Sequence, residues 1–307
     1  MTIFLARRWA LTVSMCLLAA AGPAGMASAE VRTAPCPVAA TAAALPSGPR
    51  AARLVPPFTV ETWNMQGAAS GGECKWTQDV APLAQNTDVV ALQEAGQPPR
   101  AGTTLERSWT RNGFTVQEYR WHVGSRTRGR DYYLYWMETD PNGHRVNMAL
   151  VVPEERRAQD ILVAYDPAPA HRSVRPALGI LPQGIDAWVF TVHASAQPQT
   201  GGGGRGGWDG PRIVQAVECA VAGAPLGPYP WVAAGDWNRI PNGWATAGTQ
   251  TREVAPSEVT RPQSNAVIDY AVVAATLLTQ LLLRAVFTDA RRSAGQSDHL
   301  PVRFQFG

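Results

Sequence analysis

The sequence predicts a mixed α/β sandwich. Short apolar runs of strand character recur along the chain, with helical patterns and a hairpin between them and no internal repeat. Several runs also end in polar residues: Asn64 with Gln66, Gln93-Glu94, His193, and Asp236 with Asn238; Ser297-Asp298-His299 precedes the last strand. Ser, Thr and Asn at strand ends are routine in such a fold. Asp, Glu and His gathered at several ends are not.

The elements follow in order. Arg7 and Arg8 precede the apolar residues 9–21, and Ala27-Ser28-Ala29 is a small-residue cleavage site. Residues 1–29 are therefore expected to be a signal peptide for general secretion, cleaved near Ala29. The apolar run is too short for a membrane span. Residues 30–57 are rich in Ala and Pro without periodicity, the composition of a flexible leader, and the folded domain is expected over 58–307. Residues 58–64 predict a strand, 74–84 a helix, and 89–92 a buried strand ending in Gln93-Glu94. Residues 131–137 and 145–152 predict two strands joined through Asp140-Pro-Asn-Gly143, hence a hairpin. Residues 187–193 predict another strand. The glycine-rich residues 201–207 predict a loop, without the Gly-Lys-Ser/Thr ending of a nucleotide-binding P-loop. Residues 211–222 predict an amphipathic helix with Ile213, Val214, Val217 and Val221 on one face, Asp209 as N-cap and Pro211 in the first turn. Residues 231–236, 268–273 and 302–306 complete the strands. The interrupted apolar stretch 271–287 reads as core.

The secreted part, about 280 residues, suffices for one large domain whose core does not depend on disulfides. Its cysteines are Cys36, Cys74 and Cys219, which allow one bridge and one spare thiol in any of three pairings. They lack zinc-site spacing, and Cys219, in an apolar helical pattern, is expected to be a buried thiol. The formal net charge of +3 does not announce a nucleic-acid binder. Lys75 is the only lysine. The arginines suit bidentate phosphate contact or reflect a compositional bias.

Glu94 ends a buried strand, where an unpartnered carboxylate is costly. A hard divalent cation would supply the partner: Mg²⁺, with Mn²⁺ or Ca²⁺ as substitutes. Asp298 and His299 are adjacent, so in extended chain they face opposite ways and do different work. Asp298 is free to approach the metal. His299 is a candidate to exchange a proton with the attacking water or the leaving oxygen, with Asp269 the best carboxylate to fix its tautomer. His193 is a second proton donor or electrostatic stabiliser. Asn64 and Asn238 offer amides that orient phosphate oxygens or the water, and Asp236 is either a base or a metal-linked carboxylate. Arg126 and Arg128, with Arg130, form a loop that could track a phosphate backbone, and Arg145 could reach the scissile phosphate or brace the site. There is no serine nucleophile elbow, which argues against acyl-serine chemistry. Carboxylates, amides and two histidines at strand ends are the parts of a metal-assisted phosphodiester-cleaving site.

Six blocks carry a resemblance: Thr62-Trp-Asn-Met-Gln-Gly67, Leu92-Gln-Glu-Ala-Gly96, Arg145-Val-Asn-Met-Ala-Leu150, Gly235-Asp-Trp-Asn-Arg-Ile-Pro241, Ile268-Asp-Tyr-Ala-Val272 and Ser297-Asp-His-Leu-Pro301. In this order they resemble the endonuclease/exonuclease/phosphatase superfamily, which includes deoxyribonuclease I, and within it the active B subunits of cytolethal distending toxins. The resemblance runs from about residue 58 to the C-terminus. It implies a four-layer sandwich, two packed mixed β-sheets flanked by helices, with a site at one edge. It implies Mg²⁺-dependent phosphodiester hydrolysis without a covalent enzyme intermediate, with DNA as the expected substrate. Glu94 would bind the metal with Asn64 and Asp298 nearby, His299 would pair with Asp269, and His193, Asp236 and Asn238 would surround the phosphate. In deoxyribonuclease I an acidic residue supports the histidine corresponding to His193; the toxin-like sequences place arginine-rich sequence near that point, as here, with Asp131 nearby but unassigned. The resemblance also admits phosphoinositide as substrate and toxin binding subunits as partners. A non-catalytic protein that binds phosphate or a partner would retain the same scaffold.

Overall fold

A computed structural model describes residues 55–67, 72–140, 143–166, 174–196, 208–246, 250–288 and 297–307. The expected signal peptide, the expected leader up to residue 54 and the glycine-rich residues 201–207 lie outside the described residues. Among the described residues there are fourteen strands: β1 Phe58–Asn64, β2 Val89–Gln93, β3 Thr103–Arg111, β4 Phe114–Val123, β5 Arg130–Met137, β6 Met148–Pro153, β7 Ala158–Ala164, β8 Ala177–Pro182, β9 Trp188–His193, β10 Trp231–Asp236, β11 Thr251–Val254, β12 Asp269–Ala274, β13 Leu283–Thr288 and β14 Val302–Phe306. The helices are α1 Gly72–Lys75, α2 Ala81–Gln85, α3 Gly210–Ala222 and α4 Ala275–Gln280, with a π-helical turn, Trp76–Val80, joining α1 to α2.

The strands form two mixed sheets, in the order β13-β14-β1-β2-β6-β5-β4-β3 and β11-β12-β10-β9-β8-β7. Alternation explains the layers. From β2, Val89 and Ala91 face the other sheet, where they meet Val189, Val232 and Ala234. Val90 and Leu92 face outward and pack with Trp76, Val80, Ala81 and Leu83 of the α1–α2 segment. In the second sheet, Trp188, Phe190, Val192 and Ala233 face outward onto Ile213, Val214, Val217 and Val221 of α3. Both faces of the central strands are covered, so these strands read as continuous apolar runs. The result is helix, sheet, sheet, helix.

Parallel pairing positions the site. β1 runs parallel to β2, and β9 parallel to β10, so Asn64, Gln93, His193 and Asp236 end their strands at one edge. The antiparallel β12 and β14 deliver Asp269 and the Ser297–His299 segment to the same edge from their N-terminal ends.

Several expectations are corrected. The hairpin β5–β6 forms, but its second strand begins at Met148 rather than Arg145. Asn147 is buried in the preceding turn and its Oδ1 accepts from the Thr139 and Asp140 amides. Asp209 stands at the N-cap of α3 without a side-chain cap. Its carboxylate instead accepts from the Ser195 amide at 2.9 Å and the Arg175 amide at 3.4 Å, which ties α3 to the loop after β9. Cys219 is half-buried and disulfide-bonded rather than a buried thiol, while Cys74 is free and exposed. Among the described residues, no helix is long and apolar enough to cross a membrane.

Candidate active site

Three residues that leave strand ends adopt left-handed backbone: Gln66 (φ 47°), Glu94 (φ 48°) and Asn238 (φ 49°). Such conformations cost non-glycine residues about 1–3 kcal/mol and concentrate at functional sites. Each turns the chain sharply as it leaves the sheet.

The side chains meet. Asn64 Nδ2 donates to Glu94 Oε1 at 3.2 Å and to Asp236 Oδ2 at 3.0 Å, so one amide joins the ends of both sheets. The Asn238 amide N–H donates to Asp236 Oδ1 at 2.8 Å, and its side chain donates to the Ala194 carbonyl at 2.9 Å. His299 Nδ1 lies 3.0 and 2.9 Å from the two oxygens of Asp269, which is fully buried. The opposite nitrogen, Nε2, faces Asp236 Oδ2 at 3.8 Å and Asp298 Oδ1 at 3.4 Å. His193 Nε2 approaches the same Asp236 oxygen at 3.7 Å and Glu94 Oε1 at 3.8 Å. Two histidines thus converge on one carboxylate oxygen.

Sequence reasoning assigned no role to the groups that hold this set. Arg261 binds Asp298 Oδ2 through Nε at 2.9 Å and Nη2 at 2.8 Å, and Gln66 Nε2 donates to Asp298 Oδ1 at 2.7 Å. Thr260 Oγ1 accepts from the amides of Ile268 and Asp269, both at 3.0 Å, which fixes the start of β12. Ser297 Oγ donates to the Asn64 carbonyl at 2.6 Å, and Trp63 Nε1 to the His299 carbonyl at 3.1 Å. Lys75 is buried, and its Nζ donates to the carbonyls of Met65 and Gln66. Gln66 ends the first polar set in the sequence, and that was its only signal. Arg261 ends no apolar run and carried none.

The environments push the ionisable groups apart. Burial raises the Asp236 carboxyl, and the neighbouring Asp269 raises it further, to about 7, against the pull of His299, Asn238 and Asn64. Burial disfavours charge on His299, but Asp269, Asp236 and Asp298 outweigh it and lift the imidazole to about 9. His193 is held well below its ordinary value by burial first, then by Arg175 and His299. At neutral pH one histidine is charged and the other is not, the pattern of an acid and base set apart by their surroundings.

A divalent cation has a place here. The ligand atoms of Asp236, Asp269 and His299 lie within 4.8 Å of one another. Asp269 shares its two oxygens with the single His299 Nδ1, so the trio also works as a hydrogen-bonded relay. Glu94 fits a cation better: it is partly exposed, and Oε1 alone accepts a hydrogen bond among the described residues. One free carboxylate suits a Mg²⁺-like ion that keeps most of its waters. Asn64 turns its Nδ2 toward Glu94 and its Oδ1 toward the Gln66 amide. It therefore holds Glu94 in place, and its Oδ1 keeps a second lone pair beside the Gln66 amide. Asp298 is taken up by Arg261 and Gln66.

The arginines expected to contact phosphate, Arg126, Arg128 and Arg145, do not join the cluster. Antiparallel pairing of β4 with β5 joins Val123 to Arg130 at the end away from Met137, so exposed Arg126 and Arg128 sit at the opposite edge of the sheet. Loop proximity in sequence gave no indication of this. Arg145 lies at the site's edge of the sheet but is exposed, and its amide N–H donates to Asp140. Asp131 binds His122 Nδ1 at 2.7 Å and Arg120, so it is not the partner of His193, whose Nδ1 has no hydrogen bond among the described residues.

Residues 62–299 match the Endonuclease/Exonuclease/phosphatase family. The chain belongs to this family.

Membership makes it a metal-dependent phosphoester hydrolase with the sandwich of deoxyribonuclease I. Within the family it is 31% identical to the B subunit of the Escherichia coli cytolethal distending toxin over 258 residues, 80% of this chain and 90% of that protein. It is 30% identical to a homolog of that toxin's B subunit from Salmonella typhi, over 80% of this chain and 88% of that protein. The crystal structure of the Haemophilus ducreyi cytolethal distending toxin superposes with a TM-score of 0.66 at 29% identity, covering 80% of this chain and 97% of that one. A humanised TDP2 of D. rerio shares the fold, with a TM-score of 0.52 at 13% identity, covering 82% of this chain and 99% of that one.

Proposed function

We propose that this protein is a secreted, Mg²⁺-dependent endonuclease that hydrolyses DNA phosphodiesters, of the type of the cytolethal distending toxin's active B subunits. The observation that carries the reading is the approach of His193 Nε2 and His299 Nε2 to one oxygen of Asp236, at 3.7 and 3.8 Å. These gaps are too long for direct hydrogen bonds. They bring the three groups together at the rim of both sheets, beside Glu94. Secretion rests on the basic start, apolar run and cleavage site of residues 1–29.

Each residue takes a role from its place. A Mg²⁺ ion held by Glu94 would offset phosphoryl charge and polarise the phosphorus. Asp236 accepts a proton from the attacking water as the new P–O bond forms. The Asn238 amide and Asn64 hold that carboxylate in place. His299, kept protonated by Asp269, donates to the leaving oxygen as its bond to phosphorus breaks. His193, neutral, contacts a non-bridging oxygen through Nε2–H. Asp298, gripped by Arg261 and Gln66, adds negative charge 3.4 Å from the His299 imidazolium.

Purified protein incubated with supercoiled plasmid and Mg²⁺ is expected to produce nicked circles, and chelator to abolish them. An intact plasmid across pH and metal conditions, with phosphate released from phosphoinositide, would replace this reading with that of a lipid phosphatase. Binding of either substrate without turnover would make the chain a non-catalytic phosphate binder. Any association with toxin binding subunits is a separate question, supported only by the similarity to the toxins' B subunits.

A further inference from the structure

A row of buried polar side chains lies just beneath the site, in the layer between the two sheets. Alternation places it there. In β1, Val60, Thr62 and Asn64 share the face turned to the other sheet; in β2, Val89, Ala91 and Gln93; in β9, Val189, Thr191 and His193. Deeper in that layer the contacts are hydrophobic, with Val60, Val89 and Val189 in one cluster. Thr62, Gln93 and Thr191 interrupt it, and all three are fully buried.

Polar groups are costly to bury unless they are paired, and these are paired with one another. Gln93 Nε2 donates to Thr191 Oγ1 at 2.9 Å and to Thr62 Oγ1 at 3.0 Å. Thr191 Oγ1 donates back to the Leu92 carbonyl at 3.1 Å, and Thr62 Oγ1 to the Ala91 carbonyl at 3.2 Å. Both hydrogens of the amide and both hydroxyl protons therefore have acceptors. Two of these bonds run between β9 in the second sheet and β2 in the first. Hydrophobic burial is non-directional, so apolar faces alone hold a sliding register loosely. Hydrogen bonds demand a set length and angle. Thr62 and Thr191 stand two residues before Asn64 and His193, and Gln93 directly precedes Glu94. The crossing bonds thus lie one layer below the side chains that must meet from opposite sheets.

We propose that Thr62, Gln93 and Thr191 form a clasp that fixes the register of the two sheets beneath the site, and that Thr191 is a positioning residue for His193 against Glu94. Its bearing on catalysis rests on the nuclease reading above. The separations it governs are His193 Nε2 to Glu94 Oε1, 3.8 Å, and Asn64 Nδ2 to Asp236 Oδ2, 3.0 Å. A misplacement of about 1 Å can lower a rate by roughly a hundredfold.

Thr191→Val keeps the shape of the side chain and removes the hydroxyl, whereas Thr191→Ser keeps the hydroxyl. On supercoiled plasmid with Mg²⁺, Thr191→Val is expected to lose roughly tenfold to a hundredfold in kcat with KM within about twofold, and Thr191→Ser to keep kcat within about threefold of the parent. Should Thr191→Val unfold early in urea, Thr62→Val with Gln93→Met and Thr191→Val leaves no polar side chain of the row unpaired. That triple variant is expected to regain the urea midpoint and not the rate. Thr191→Val at the parent's kcat, Thr191→Ser falling as far as Thr191→Val, or a triple variant at the parent's kcat each overturns the clasp and leaves the nuclease standing. A parent that spares plasmid and releases phosphate from phosphoinositide ends the nuclease reading instead, and the same ratios are then read on that lipid. Crystal structures of parent and Thr191→Val read the geometry without turnover. At least one of the two separations should lengthen by about 1 Å. Both unchanged overturns the clasp, whatever the substrate.

Discussion

His299 owes its charge to Asp269, whose oxygens lie 2.9 and 3.0 Å from Nδ1. Its folded value, about 9, lies above the ordinary 6.5. The interaction therefore adds stability that is complete below pH 6.5 and disappears as pH rises through about 9. With His299 as acid and Asp236 as base, as proposed above, the same charge sets the activity profile. Asp236 must lose its proton, with a value of about 7, and His299 must keep its own, with a value of about 9. A plot of kcat/KM against pH is expected to rise through about 7 and fall through about 9, and Asp269→Asn should draw the falling limb to lower pH. A profile whose alkaline limb ignores Asp269→Asn would remove His299 as the acid. Replacing His299 by Asn is expected to cost roughly a hundredfold to ten-thousandfold in kcat with little change in KM. At this scale the sequence was informative where an ionisable residue borders an apolar run, as at Glu94, Asp236 and His299. Arg261 escaped notice because an arginine among Thr, Pro and Gln looks the same solvated or paired. Only its bidentate grip on Asp298 distinguishes it.

The glycine before Asp236 works at the scale of the strand. A Cβ on Gly235 would lie 1.9 Å from the Val192 carbonyl oxygen of neighbouring β9. That contact is backbone and cannot swing aside. Gly235→Ala is expected to destabilise the fold by about 3 kcal/mol, the upper part of the range for overpacking, as read from the urea midpoint. It should also weaken catalysis, because β9 and β10 carry His193 and Asp236 side by side. An unchanged midpoint would show that the two strands need no such approach. Buried elements were the legible ones: β2, β9, β10 and β12 are buried throughout and apolar but for Thr191 and the polar residues at their site ends, and α3 has a clean apolar face. The hairpin of β3 and β4 was invisible because β3 is almost entirely exposed and so lacks alternation. β11 is four residues long and polar at its centre, and offers no pattern either.

Across the whole molecule, the two ends of the first sheet do different things. The catalytic edge gathers carboxylates and histidines. The far edge carries exposed Arg126 and Arg128 beyond the His122–Asp131 pair. Replacing both arginines by Ala should leave kcat on plasmid within about twofold of the parent at moderate ionic strength, since screening over about 10 Å at 0.1 M salt insulates the distant site. A loss beyond tenfold in kcat would place that loop against the reacting phosphate after all. The periodicity and polarity of the chain determined that strands exist, which of them are buried, and that chemically unusual residues terminate them, because burial and alternation are local properties of sequence. Which ends meet was decided by tertiary pairing: the order of strands in each sheet, their parallel or antiparallel sense, and the stacking that brings Asn64 within 3.0 Å of a carboxylate 172 residues away. Local patterning carries no record of such distant partners, since the same alternating strand can pair at either edge and in either direction.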